Sequence, residues 1–380
     1  MIFGAGKTGR GFAAHLAFLG GYEIVLIDKN QQLVEDLKKA GQYDVEVLNN
    51  EEKNCTITAS GVYHIEDVLW HKKFVDTSLV FTAVFGNNLE ELAGDLAIAL
   101  KKRNAENPAQ IVTIITCENV TNAAGFLKKM VLKNLGVGME RWLSEAAGFS
   151  ESIIFRTCLE AGADQPPLTV RAQNFFELPC DGDEIKEGLS VYGLKPLKNF
   201  KDQLRRKIYT YNCINAIITY LGAAKGYLQL YEAGNDAEIL ATAQKAANET
   251  CGAQIAEFGF DSQEQEEWML AAFAKFADKS VPDPIERNGA DPSRKLGRDD
   301  RLIGPALLAL KHNIYPEGLL AGIMAAFNYR DSNNDSMIAD LIGDKGADFV
   351  LKEICGLSMD EKLSILIKKE IMKSNSNGKK

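Results

Sequence analysis

At 380 residues the chain exceeds one ordinary domain, so two are expected, and 46% hydrophobic with 25% charged residues is a globular balance. A net charge of -9 argues against a nucleic-acid partner, which needs a basic stripe to neutralise phosphates. Apolar runs such as 216–224 fall short of a membrane span, no basic-then-apolar leader is visible, and seven scattered cysteines form no C-x-x-C pair, so reduced thiols in the cytoplasm are expected.

The first 28 residues carry the densest pattern. Gly4, Gly6 and Gly9, with Ala5, Lys7 and Thr8 between them, give G-x-G-x-x-G after a short apolar run. Residues 12–19 then read as a helix, and 22–27 as a buried strand ending on Asp28. In a dinucleotide site the first glycine makes the turn, the second admits a pyrophosphate, and the third lets helix and strand pack. The helix N-terminus offers free N–H groups and partial positive charge to the phosphates. An acid about 20 positions on binds the adenosine ribose and repels a 2′-phosphate, so Asp28 favours NAD over NADP. Gly6-Lys7-Thr8 also mimics the tail of a P-loop, but Met1 stands where that motif needs a glycine. Only residues 1–3 precede Gly4, so the first strand is expected to be clipped or the recorded start late.

A short helix is expected over 31–40 and a hairpin from 45–48 and 56–59. Residues 79–84 and 111–115 are continuous apolar runs, as in parallel strands covered on both faces, with an amphipathic helix over 89–102 between them. Strand–helix alternation predicts a doubly wound Rossmann-type α/β sheet. Residues 152–178 loosen into short β-like pieces, and 181–183 with 194–196 read as a linker. Beyond residue 200 the pattern is helical over 207–221, 236–258, 263–277, 302–310 and 317–329. The expected organisation is a nucleotide-binding domain over 1–195, a mostly α-helical catalytic domain over 196–373, and a disordered polar tail over 374–380.

Two stretches have the character of a catalytic site. Thr116-Cys117-Glu118-Asn119 follows a buried strand directly, at the carboxyl end where α/β sheets bind ligands. In Arg206–Asn215, an α-helix at about 100° per residue would place Lys207, Asn212 and Asn215 within an arc of about 140°, flanked by apolar residues. Four histidines without H-E-x-x-H or paired cysteines argue against a zinc alcohol dehydrogenase, so no metal is expected. No tyrosine lies four residues before a lysine, and no G-x-S-x-G elbow occurs.

The chain resembles the polyol-specific long-chain dehydrogenases. The resemblance rests on Gly4–Phe12, Cys117-Glu118-Asn119, Lys207-x4-Asn212, Ile218–Gly222, Glu286-Arg287, Pro292-x-Arg294-Lys295-Leu296 and Asp300–Ile303, in order along nearly the whole sequence. It implies metal-independent hydride transfer to NAD, between a sugar-alcohol phosphate and a ketose phosphate. Mannitol 1-phosphate and fructose 6-phosphate are the expected pair. Lys207 would be the general base, and Asn119 and Asn212 would donate hydrogen bonds to the substrate oxygen as it gains charge. For this a lysine must fall about two units from its ordinary 10.4. Arg287, Arg294 and Lys295 would bind the phosphate and Asn215 a substrate hydroxyl. The sequence departs from the family's pattern at Asn215 and Asn328, where histidines are usual, and at Phe155, where an aspartate precedes the arginine matched by Arg156. These departures bear on substrate choice. A free polyol or a hexuronate is the alternative substrate, and a non-catalytic NAD-binding sensor the alternative function. The expected assembly is a monomer or homodimer.

Overall fold

Successive side chains of a strand face opposite sides, so a strand covered on both faces must be apolar at every position. The central strands obey this rule. The computed structural model describes residues 1–120, 122–186, 188–331 and 337–377. It divides into two units, Met1–Phe200 and Lys201–Lys380, a boundary five residues beyond the expected one.

In the first unit the strands are β1 (Ile2–Phe3), β2 (Ile24–Asp28), β3 (Gln42–Val47), β4 (Cys55–His64) and β5 (Leu79–Thr82). They continue with β6 (Val112–Thr116), β7 (Ala147–Glu151), β8 (Cys158–Leu159) and β9 (Val170–Ala172). Among the described residues these form one nine-stranded sheet, ordered β7-β6-β5-β1-β2-β4-β3-β9-β8. Pairing is parallel from β7 to β4. The hairpin β3–β4 is antiparallel, with Tyr43 opposite Ile57, and β9 then adds parallel to β3. Ile2, Ile24, Leu26, Leu79, Phe81 and Ile115 join one apolar core, while Phe3, Val25, Ile27, Val80 and Ile114 join another. That strict alternation is the signature of a doubly wound sheet, and the unit is a Rossmann-type fold. The short β1 lies between β5 and β2, where chain order reverses. Such a switch point opens a crevice at the carboxyl ends of the strands.

The stretch read as a linker is instead ordered sheet. Strand β10 (Leu178–Asp181) pairs in parallel with β11 (Leu194–Leu197). Leu178, Pro179 and Cys180 are buried, so the polar 181–183 turn caps a strand rather than joining domains.

The second unit is helical around one core. Its long helices include Cys213–Ala224, Ala237–Phe258, Ser262–Phe276, Ile303–Lys311 and Glu317–Phe327. Ile217, Ile218, Ala246, Ile303, Leu319 and Ile323 meet in that core. Gly322 lets two helices close up, because a Cβ there would sit 2.5 Å from a methylene of Ile217. Asp236 and Asp261 start their helices by accepting backbone N–H bonds, and Gly259 at φ +68° stops one. The helix Lys362–Asn377 carries helical backbone through residues 374–377 of the expected disordered tail, anchored by buried Leu363 and Ile367. Residues 378–380 of that tail lie outside the described residues.

Candidate active site

The glycines of the opening loop divide by what demands them. Gly4 has φ +90°, and a Cβ there would collide with the Ala83 carbonyl at the end of β5. A Cβ at Gly9 would collide with the Gly4 carbonyl. Both are therefore required by the fold itself. Gly6 is exposed, and a Cβ on it would meet nothing within 4 Å. Packing does not require a glycine there, whereas close approach of a ligand does. Gly6→Ala is accordingly expected to keep its melting temperature while weakening dinucleotide binding about tenfold or more, as measured by calorimetric titration.

Helical structure begins earlier than the apolar pattern indicates, with a wide π-type turn over Gly9–Ala14 running into the α-helix His15–Leu19. Arg10, buried in this turn, donates to the Ala5 carbonyl at 2.7 Å and to the Leu168 carbonyl, and so pins the loop. Lys7 is exposed and pairs with Glu160 at 3.3 Å, and Thr8 is half-buried. The Asp28 carboxylate accepts the Ala5 N–H at 2.6 Å and the Asn30 N–H at 2.8 Å. A carboxylate has about four lone-pair sites, so it retains capacity for ribose hydroxyls. Gly4, Gly6 and Asp28 share a half-open pocket with Ile65, Phe85 and Leu92, whose rim also carries Glu91 and Asp95. Asp28→Ala is expected to weaken NAD binding and narrow the NAD-to-NADP preference, read from the two dissociation constants. An unchanged ratio would remove Asp28 from ribose recognition.

At the end of β6 the chain places a buried carboxylate beside an exposed amide. Glu118 accepts the Thr82 hydroxyl at 2.8 Å and the Val84 N–H at 2.9 Å, tying the carboxyl ends of β5 and β6 together. Burial raises its pKa. Asn119 follows it and is exposed. The sequence reading used Glu118 only as part of a motif. A charged residue two positions beyond a fully buried strand is the signal that could have marked it.

In the second unit Lys207 closes the helix Phe200–Lys207 and is 6% exposed. Burial pulls its pKa down to about 7, and the nearby positive charges of Arg301 and Lys275 act in the same direction, opposed by Asp300. The uniform α-helix expected over this stretch is not what forms. Residues Ile208–Asn212 make a π-type turn before the α-helix Cys213–Ala224, with the Cys213 N–H bonded to the Ile208 carbonyl five positions back. An i→i+5 turn is wider than an α turn, so Asn212 returns closer to the face of Lys207 than the about 140° of an ideal α-helix. Side chains stabilise the irregular backbone. The Thr250 hydroxyl donates to the Tyr209 carbonyl at 3.1 Å, and Gln254 and Gln265 donate to the Thr210 hydroxyl at 3.1 and 2.9 Å. Arg206 holds Gln265 at 2.7 Å while stacking over Trp268. Periodicity carries no signal for such a turn, because its supports come from helices distant in sequence.

Asn215 reaches Asn288 at 3.3 Å, which brings it to the loop that carries the expected phosphate ligands. Each cation of that loop already has partners. Arg287 is exposed and pairs with Asp283 at 2.5 Å. Arg294 is exposed and pairs with Asp291 at 2.8 Å and Asp300 at 3.7 Å. Lys295 is buried, donates to the carbonyls of Asn288 and Ala290, and has its pKa lowered to about 7, by burial first and then by Arg301 and Arg294. It secures the loop. Arg301, bonded to Asp300 at 2.7 Å, is the positive charge that most lowers both lysines after burial, a part the motif reading did not assign. Among the departures, Phe155 is buried edge-on to Phe175, and Asn328 bonds the Met324 carbonyl at a helix end. Arg156 is buried and engaged by His15 at 3.0 Å and by the Gln173 carbonyl at 2.7 Å.

The chain is 29% identical to a mannitol-1-phosphate 5-dehydrogenase of Bacillus velezensis, over 97% of this chain and 98% of the relative. It is equally similar to the enzyme of that name from Bacillus subtilis, with the same coverage. Among solved structures, a D-sorbitol dehydrogenase in substrate-free form superposes with TM-score 0.75 at 16% identity, covering 92% of this chain and 84% of that one. The ternary complex of Pseudomonas fluorescens mannitol 2-dehydrogenase with NAD and D-mannitol superposes with TM-score 0.69 at 14% identity, covering 98% and 94%. At these identities the superpositions speak to fold. The family model for the mannitol dehydrogenase Rossmann domain matches residues 1–191, and that for the mannitol dehydrogenase C-terminal domain matches 199–370. On these two matches the chain belongs to the mannitol dehydrogenase family.

Proposed function

We propose that this dehydrogenase uses NAD to interconvert mannitol 1-phosphate and fructose 6-phosphate, with Lys207 as general base. The observation that carries the reading is a buried amine with its pKa lowered to about 7, immediately before the turn that carries Asn212. An alcohol gives up hydride readily only as it loses its proton, and a base is most effective with a pKa near the working pH. The glycine loop and Asp28 fit a dinucleotide, since Gly6 leaves open space and Asp28 retains lone pairs. When bound, NAD supplies the carbon that accepts the hydride. Lys207 takes the hydroxyl proton at its Nζ. The amides of Asn212 and Asn119 donate hydrogen bonds to the oxygen as negative charge grows on it. Asn215 orients a neighbouring hydroxyl.

For the phosphate, Arg287 and Arg294 are the ligands this reading assigns. Both guanidiniums are exposed to water, as is Asp291, while Asp283 is largely covered, and pairs screened by water on the arginine side are weak enough for a phosphate dianion to exchange. Lys295, buried and spent on two carbonyls, acts by shaping the loop. The same observation favours a second reading, in which these cations remain with their acids and the substrate is a free polyol or hexuronate. A panel of polyols and ketoses, with and without phosphate, followed at the absorbance band of the reduced nicotinamide, decides between them. Turnover confined to phosphorylated substrates supports the first reading, and equal turnover without phosphate replaces it with the second. NAD binding with no turnover on any member would leave only a nucleotide-binding protein.

A further inference from the structure

Phe85 combines two unusual properties. Its backbone lies at φ +66°, a region that large side chains rarely occupy, and its ring is 79% exposed. The surrounding structure holds it there. The N–H of Val84, the preceding residue, is bonded by the buried carboxylate of Glu118 at 2.9 Å, and the Val84 carbonyl is bonded by the Asn88 side-chain amide. The Phe85 carbonyl accepts the Asn88 N–H at 3.1 Å. Each peptide flanking the ring is therefore fixed, and the strain is maintained by a built network rather than relieved. Strained residues that the fold over-determines concentrate where a ligand is held. Nothing in the core requires this ring, because most of its surface is in water.

The ring lines the same pocket as Gly4, Gly6 and Asp28, whose other walls include Ile65 and Leu92. We propose that Phe85 is a nucleotide-positioning residue whose ring packs against the adenosine half of the cofactor. This rests on the dinucleotide reading given above. Asp28 fixes the ribose end of the pocket, and Phe3, Ile65, Val84 and Leu92 give it an apolar wall beside the polar Lys29, Asn88, Glu91 and Asp95. That lining suits a flat heteroaromatic base with a polar edge and leaves the phosphates to the loop. Association covers the exposed face of the ring, and the rigid turn spares the binding step the cost of ordering it.

The test is titration of the full-length protein with AMP and with NADH, for the wild type, Phe85→Gly, Phe85→Ala and Phe85→Trp. Glycine adopts positive φ freely, so Phe85→Gly is expected to melt no lower than wild type. It is expected to bind both AMP and NADH about tenfold or more weakly, the scale of lost base–aromatic stacking. Phe85→Ala should behave in the same way toward both ligands, and Phe85→Trp should keep wild-type affinity. Undiminished affinity in Phe85→Gly, with wild type binding normally, overturns this proposal and leaves the dinucleotide reading intact. Weakened NADH with unaltered AMP overturns the adenosine placement. A wild type that binds neither AMP nor NADH overturns the dinucleotide reading, and this proposal with it.

Discussion

Lys207→Met is expected to lower kcat for alcohol oxidation at least about a hundredfold while leaving NAD affinity unchanged. Methionine nearly matches the lysine stem in volume, so the buried site stays filled and the loss reports the amine. The wild-type profile adds a second signature. Only the neutral amine can take a proton, so oxidation should fall as pH drops through about 7, by about tenfold per unit on the acid side. Arg301→Met removes the positive charge that most depresses Lys207 after burial, so its Lys207 pKa rises and the limb moves to higher pH. Stability carries the same sign. Lys207 is neutral in the fold above about 7 but charged in the unfolded chain up to about 10.4, so the unfolded state binds more protons in that window. The contribution of this group therefore stabilises progressively as pH rises across it, and Lys207→Met should lack that contribution. An unchanged rate in Lys207→Met, measured at saturating NAD, would remove the lysine from the mechanism.

Asn212→Ala is expected to lower kcat by about a hundredfold or more, the scale for losing one donor to a developing oxyanion, with little change in KM for NAD. Asn212→Asp should be at least as poor, because its carboxylate opposes the forming alkoxide. The pH limb should stay where it is in Asn212→Ala, since Lys207 keeps its burial and charged neighbours. That separates the roles: the lysine variant loses the titration, and the amide variant keeps it at a lower plateau. If Asn212→Ala retained wild-type kcat, the π-type turn would have no catalytic meaning.

Much of the first unit was legible in the order of residue types. The glycine spacing, the acid ending the second strand and the two-sided apolar runs each reflect local geometry. A turn needs positive φ at Gly4, and a strand covered on both faces needs apolar side chains at successive positions. Residues 181–183 and 194–196 were misread because a short strand with polar ends looks like a linker until its partner lies alongside. The end of the helix Lys362–Asn377 was misread because a polar composition does not say how far a helix anchored elsewhere will run.

The residue types and their places along the chain were thus the sequence's own: Gly6, Asp28, Lys207 and Asn212 could be named from local spacing and family pattern. What those groups can do was decided by folding. The pKa of Lys207 depends on burial and on Arg301 and Lys275, residues far from it in the chain, and no local pattern sums such fields. The turn that carries Asn212 depends on Thr250 and the Gln254–Gln265 pair, which reach it from other helices. Whether a cation is spent on a carboxylate, as Arg287 is, or on carbonyls, as Lys295 is, follows from which oxygens the folded loop brings within reach. Propensity and periodicity act over a few neighbouring residues, whereas burial and charge act through space, and space is set only once the chain has folded.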